Sequence, residues 1–362
     1  MIALVLCVVF AHKYKDKENI IYLISIFILW VILSIRYGQG TDYFSYNILA
    51  DMCDNLKQVV YNYKDIHSEI GMRLLYFIFH GNFTLLIFVV STYQMYMLHR
   101  FIWRYSMDKM LTLAMFYPMF AMVFYFSVIR QGIVIATFLG VMYGLLKRGE
   151  IKKYCIVCIC LSTIHVTALV LLCFPLIVKL SKKQIEIMFI ASIVCAVLLQ
   201  IIYKLNGSLG FEKLDYYYNS DLHVLGILSK IFMLVFVVIL YVLRYKLTQN
   251  DCLEIRDEMK IFISGFSFYI AFLAFQNVGT RLIIYFNTML LIIVPYLFTK
   301  KIEFRKTLLG ILMAYLLVMN IKTVNAEIVQ GDYNKGVNVF NYPYVTIFNK
   351  EDIFKYRNIK GL

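Results

Sequence analysis

The sequence predicts an all-α bundle of membrane-spanning helices, on three observations. Hydrophobic residues make up 61% of the 362 and charged residues 16%, against about 45–50% and about 25% in a soluble domain. The apolar residues fall in long blocks, and a helix needs about 20 of them to cross the hydrocarbon core. The net charge of +14 is concentrated in short connections between blocks, as in cytoplasmic loops beside anionic headgroups. This pattern excludes a secreted disulfide scaffold, a nucleic-acid-binding domain and a cytosolic enzyme.

In chain order the candidate spans are 1–11, 20–35, 74–98 (interrupted near His80-Gly81-Asn82), 109–127, 131–146, 154–178, 185–203, 224–243, 260–276, 282–299 and 306–321. The expected count is about 10–12. The opening run Met1–Ala11 lacks a positive leader and an A-x-A-like site, so it reads as a short span rather than a cleaved signal. Without a Pro/Gly/Ser-rich linker or an internal repeat, residues 1–362 read as one integral domain.

Charge sorts the connections. Loops 12–19, 99–109, 147–153, 179–183, 244–260 and 300–306 carry most of the Lys and Arg and should be cytoplasmic. Loop 36–73 has four Lys/Arg against five Asp/Glu; it and 204–223 should be extracytoplasmic. Residues 322–362 form a polar C-terminal tail. Segment 154–178 breaks the alternation because both of its flanks are basic. Either it crosses and leaves one basic cluster outside, or two short pieces enter and return with their tip near Ser162-Thr163-Ile164-His165. Irregular backbone at depth requires surrounding protein or a wet cavity.

Six of the eight cysteines lie inside apolar blocks, where a free thiol is a small packing residue. Cys155-x-x-Cys158-x-Cys160 has no companion pair at metal-ligand spacing, so no metal is expected.

Charges within apolar surroundings mark candidate chemistry. Arg36 follows a span, Arg130 lies between MFAMVFYFSV and GIVIATFLGV, and Arg281 between FYIAFLAFQNVG and LIIYFNTML. The topology places all three near the outer leaflet. They either snorkel to the interface or form a phosphate site, for which the planar guanidinium fork is suited. No Walker loop or D-x-D-like pair accompanies them, which argues against a nucleoside triphosphate or a metal-diphosphate site. His165, in STIHVTALVLL, is either a packing residue or a general base. Asp42 in QGTDYFSY and Glu69 in HSEIGMR are competing bases or ordinary loop carboxylates. The loop tyrosines either stack on sugars or form an interfacial belt.

At these positions the chain resembles the EpsG family of bacterial integral membrane proteins, which belong with the Wzy-type polysaccharide polymerases. The resemblance is carried by SIRYGQGTDYFSY, HSEIGMRLLYFIF, FYFSVIRQGIVIA and STIHVTALVLL, in that order, and more loosely by NVGTRLIIYF. The very short first span and the Gln39-Gly40 pair before Thr41 depart from the family pattern. The resemblance implies a GT-C-like bundle with an outward cavity and re-entrant segments. It implies polymerisation of oligosaccharide units on undecaprenyl pyrophosphate, as both donor and acceptor, at the outer face of the bacterial cytoplasmic membrane. Capsule, exopolysaccharide or O-antigen is the product class. It implies neither cofactor nor nucleic acid, and membrane lipid, a flippase and a chain-length regulator as partners. His165 and Asp42 become the catalytic pair, with His165 favoured as base. Arg36, Arg130, Arg281, Gln131, Tyr43, Glu69 and Tyr285 become substrate contacts. A glycan ligase would share this chemistry and differ only in acceptor. A lipid-linked glycan flippase would show repeat symmetry and charge along a central path. A membrane acyltransferase would take its donor from the cytoplasm.

Overall fold

The computed structural model describes residues 1–61, 68–206, 224–248, 255–299 and 304–358. Its regular secondary structure in these segments is helical, apart from two isolated β-bridges, Arg36 with Thr346 and Tyr333 with Arg357. The fold class is therefore a polytopic helical bundle. Most of the proposed outer loop 204–223, residues 207–223, lies outside the described residues. The chain divides into two compact units, Met1–Ala168 with Lys306–Leu362, and Leu169–Arg305.

The first unit opens with α1 (Ile2–Lys13) and α2 (Glu18–Ser34). The loop after α2 carries two short helices, α3 (Tyr43–Asp51) and α4 (Leu56–Tyr61), before α5 (Ile70–Ile78). The chain breaks at His80-Gly81-Asn82, where Asn82 accepts the Leu85 N–H and caps α6 (Phe83–Tyr105). This is the interruption the sequence predicts. Asp108 caps α7 (Lys109–Phe116) through the Leu111 N–H. Pro118 has no N–H to give, and α7 widens into π-helical turns over Tyr117–Tyr125. Next come α8 (Ile129–Thr137), α9 (Tyr143–Lys147) and α10 (Ile151–Ser162).

After α10 the chain turns back at Thr163–His165 into a 3₁₀ stretch, Val166–Cys173. Cys158 Sγ lies 3.1 Å from the Ala168 carbonyl. Ten residues of straight helix would separate them by about 15 Å, so the segment is a hairpin. The turn at Thr163–His165 falls where the re-entrant alternative puts its tip.

Within the second unit are α11 (Phe174–Lys179), α12 (Lys182–Asn206), α13 (Val224–Thr248), α14 (Arg256–Ala271), α15 (Gln276–Asn287) and α16 (Leu290–Phe298). Phe286 is central here, stacked on Phe268 at 5.2 Å and tilted on Phe174 at 4.9 Å. Helix α17 (Arg305–Gln330) then leads into the C-terminal residues.

Among the described residues, six helices are long and apolar enough to cross a membrane, or up to seven if the bent pair α15–α16 counts as one span. That is fewer than the expected count of about 10–12. Hydropathy counts apolar runs and cannot see that 109–127 and 154–178 are interrupted, while the first run, short already in the sequence, forms a helix of 12 residues. Three shorter apolar helices, Ile2–Lys13, Lys109–Tyr125 and Val166–Lys179, account for these runs.

The C-terminal residues form a strap. Tyr37 N–H donates to Val345 O (2.9 Å), Ile347 N–H to Ile35 O (2.9 Å), and Gln39 Nε2 to Pro343 O (2.6 Å). Arg357, 8% exposed, donates to Gly331 O (2.7 Å), Gly38 O (2.6 Å) and Gly40 O (3.2 Å). From α17, Glu327 accepts the Ser127 hydroxyl (2.9 Å), and Ser127 Oγ in turn accepts the Thr41 N–H (3.1 Å). Gly40 has φ +101°, and a Cβ there would press into the Phe126 carbonyl. Arg357→Met removes three donors to buried carbonyls, at a cost of about 1.5–3 kcal/mol for each charged hydrogen bond lost. It should speed hydrogen exchange at residues 36–42 while leaving α12 and α14 unchanged. Unaltered exchange over 36–42 would show that the strap does not hold this loop.

Candidate functional site

Three of the residues singled out from the sequence meet directly. Glu69 stands at the N-terminus of α5, Arg130 on the first turn of α8, and His165 at the tip of the α10 hairpin. Arg130 Nη1 donates to Glu69 Oε2 at 2.7 Å. His165 Nδ1 lies 3.2 Å from Glu69 Oε1, which also accepts the Val166 N–H at 2.9 Å. Both carboxylate oxygens are thus occupied, one by a charge and the other by the imidazole and a helix-start N–H.

The hairpin tip is fixed from below as well. Gly71 N–H donates to Thr163 O at 2.7 Å, and a Cβ on Gly71 would collide with Thr163. The E-x-G spacing of Ser68-Glu69-Ile70-Gly71 therefore serves two contacts with one helix start. Glu69 reaches residues 165 and 166, and Gly71 permits the backbone approach to residue 163.

A second layer joins Asp42. The Arg130 guanidinium lies over the Tyr46 ring, 5.6 Å from its centroid. Tyr46 Oη donates to Asp42 Oδ2 at 3.3 Å, and Thr41 Oγ1 to Asp42 Oδ1 at 3.1 Å. The order Asp42–Tyr46–Arg130–Glu69–His165 is continuous. Burial pushes the Tyr46 phenol up to about 12, with the Asp42 charge adding and Arg130 opposing, so it remains a neutral donor at neutral pH.

The other expected contacts fall elsewhere. Arg36 is 1% exposed. Its Nη atoms donate to Leu33 O, Ser91 Oγ (3.0 Å), Tyr125 O (2.8 Å) and Phe126 O (3.4 Å). It follows the last turn of α2, where carbonyls lack helical partners, and in this arrangement it joins that end to the backbone after the π-helical turns. Burial lowers its guanidinium to about 10, against the pull of Tyr43, Tyr344 and Glu327, so it keeps its charge at neutral pH. Tyr43 is buried edge-on against Phe83 and Tyr37. Gln131, beside Arg130, is buried too. Arg281 and Tyr285 belong to the second unit, Arg281 exposed on α15 and Tyr285 fully buried. Arg36 and Arg130 thus have separate partners rather than forming one phosphate cradle. Spacing along the chain could not reveal this, because it reports charge and depth but not which carbonyls lie opposite. Among the described residues, no group of three or more His, Cys, Asp or Glu could hold a metal ion.

Burial tends to raise the Glu69 carboxyl, but the His165 and Val166 hydrogen bonds and the Arg130 charge prevail and bring it to about 2. A carboxyl depressed on folding contributes stability above its unfolded pKa, and that stability is lost as pH falls through the folded value. Wild-type protein should therefore exceed Glu69→Gln in thermal midpoint at pH 7. The difference should shrink as the pH is lowered from about 4.5 towards about 2. A difference that stays constant over that range would show that the carboxylate charge is not what holds the hairpin.

The EpsG family model matches residues 19–346. That span contains Glu69, Arg130, His165 and Asp42 together with most of the strap. Comparison with curated proteins and with solved structures returns no match. With the family match covering nearly the whole chain, this multi-pass membrane protein belongs to the EpsG family.

Proposed function

We infer that the protein is a glycosyltransferase that polymerises oligosaccharide units carried on undecaprenyl pyrophosphate. The reaction takes place at the outer face of the bacterial cytoplasmic membrane, and the product is a capsular, exopolysaccharide or O-antigen chain. The observation that carries the reading is the Glu69 carboxylate holding His165 and Arg130 together, in a chain of the EpsG family.

The chemistry follows from donor and acceptor roles. An ionised carboxylate only accepts hydrogen bonds, so Glu69 Oε1 fixes the proton of a neutral His165 on Nδ1. Nε2 then carries the lone pair and is the basic nitrogen. In the proposed step Nε2 takes the proton of the acceptor sugar hydroxyl as that oxygen attacks the donor's anomeric carbon. The bond from anomeric carbon to pyrophosphate oxygen breaks, and the lipid pyrophosphate leaves with the electron pair. Glu69 stabilises the imidazolium that forms, and Arg130 keeps Glu69 ionised. Asp42, linked to Arg130 through Tyr46, is placed to orient hydroxyls.

From sequence, Glu69 reads as a competing base, an ordinary loop carboxylate or a substrate contact. Here it orients His165 instead, so both are needed. Purified protein in lipid nanodiscs, given a lipid-pyrophosphate oligosaccharide, should produce a ladder of products. His165→Ala should slow it about 10²–10⁴-fold, the usual worth of a general base, and Glu69→Gln should also impair it. One added block instead of a ladder would indicate a ligase. No new glycosidic bond from the wild-type protein would indicate a transporter and overturn the reading.

A further inference from the structure

Arg73 follows Glu69 by one turn of α5, and its N–H donates to the Glu69 carbonyl at 3.0 Å. Residues four apart share a helix face, with Cβ atoms about 5–6 Å from each other. Arg73 is 6% exposed. Among the described residues, neither its Nε nor its Nη1 has a hydrogen-bond acceptor. Arg36 and Arg357, buried to a similar degree, direct guanidinium donors to carbonyls, and Arg130 directs one to Glu69.

Among the described residues, no acidic side chain forms an ion pair with Arg73. Its neighbours Met72 and Tyr76 belong to an apolar cluster that also includes Cys53. Burial raises the Cys53 thiol, with Arg73 opposing and Asp54 adding, so near neutral pH it is an uncharged thiol and not a counter-ion. The charge of Glu69 is committed to Arg130 and His165. A guanidinium taken out of water without a paired charge is costly to the fold. Such a group fits a protein whose ligand supplies the missing negative charge.

We propose that Arg73 is the anion-binding residue of the Glu69–His165 site, receiving a phosphate of a polyprenyl-pyrophosphate-linked glycan. The guanidinium presents charged donors suited to phosphate oxygens. In such a substrate the anomeric carbon is bonded directly to a phosphate oxygen, so the sugar and the anion must be bound side by side. One helical turn between Arg73 and Glu69 meets that requirement. The glycan part of this assignment rests on the function inferred above. The anion part rests on the burial and open donors of Arg73.

The test is thermal unfolding of the full chain in detergent, without ligand and with inorganic pyrophosphate, farnesyl pyrophosphate or sulfate at equal ionic strength. Wild-type protein should gain midpoint with farnesyl pyrophosphate, less with inorganic pyrophosphate and least with sulfate. Arg73→Met keeps much of the side-chain length without the charge. It should unfold at a higher temperature than wild type in the absence of ligand and should lose the pyrophosphate response. Arg73→Lys should keep a weakened response. Failure of either pyrophosphate to shift the wild type would overturn the proposal, as would an Arg73→Met variant that is less stable or fully responsive. Stabilisation by inorganic pyrophosphate alone would overturn the lipid assignment. Because nothing here reads polymer, a protein that binds farnesyl pyrophosphate through Arg73 but builds no ladder would keep this inference and lose only the function above.

Discussion

The Glu69 carboxylate is the constraint on which the candidate site depends. It accepts from Arg130 on one oxygen and from His165 and the Val166 N–H on the other. These donors come from two separate parts of the chain, residue 130 and residues 165–166, brought to the start of α5. Two half-buried charges incur a desolvation cost that pairing alone does not always offset. The additional hydrogen bonds at Oε1 are what make this geometry favourable. The same interaction gives His165 its orientation, so stability and chemistry are coupled in one side chain.

A second constraint acts at a distance from that carboxylate. The Gly38–Asp42 loop is held between Arg357, Ser127 and the carbonyls that face Arg36. Its glycines allow close backbone approach, and the strap closes over it from the far end of the chain. Asp42 therefore enters the Tyr46–Arg130 layer from a rigid support rather than from a wet, mobile loop. The arginines of the first unit thus do different things. Arg36 and Arg357 satisfy backbone carbonyls, Arg130 compensates a carboxylate, and Arg73 is left with open donors.

The sequence made part of this legible. Long apolar blocks specify a helical membrane bundle because a bilayer leaves the backbone few other options. The basic flanks of 154–178 pointed to the hairpin as one of two geometries, and the hairpin places His165 at its tip. The residues Glu69, Arg130, His165 and Asp42 stood out because charge is scarce in apolar surroundings. Their pairing was not legible, since it depends on which helix starts face each other. Arg73 lay within the quoted HSEIGMR segment but carried no signal, because a charged residue near a loop normally reaches water. The strap was also hidden. Its contacts are largely hydrogen bonds to backbone carbonyls of residues about three hundred positions apart, which composition does not encode.

The most direct test of the carboxylate's role is a double-mutant cycle on stability with Glu69→Gln, Arg130→Met and the combined variant. If the two side chains stabilise each other, the losses will not add, and the coupling should fall within about 0.5–3 kcal/mol, the range for residues in direct contact. Additive losses, within about 0.3–0.5 kcal/mol, would mean that Glu69 and Arg130 act independently and would contradict the account.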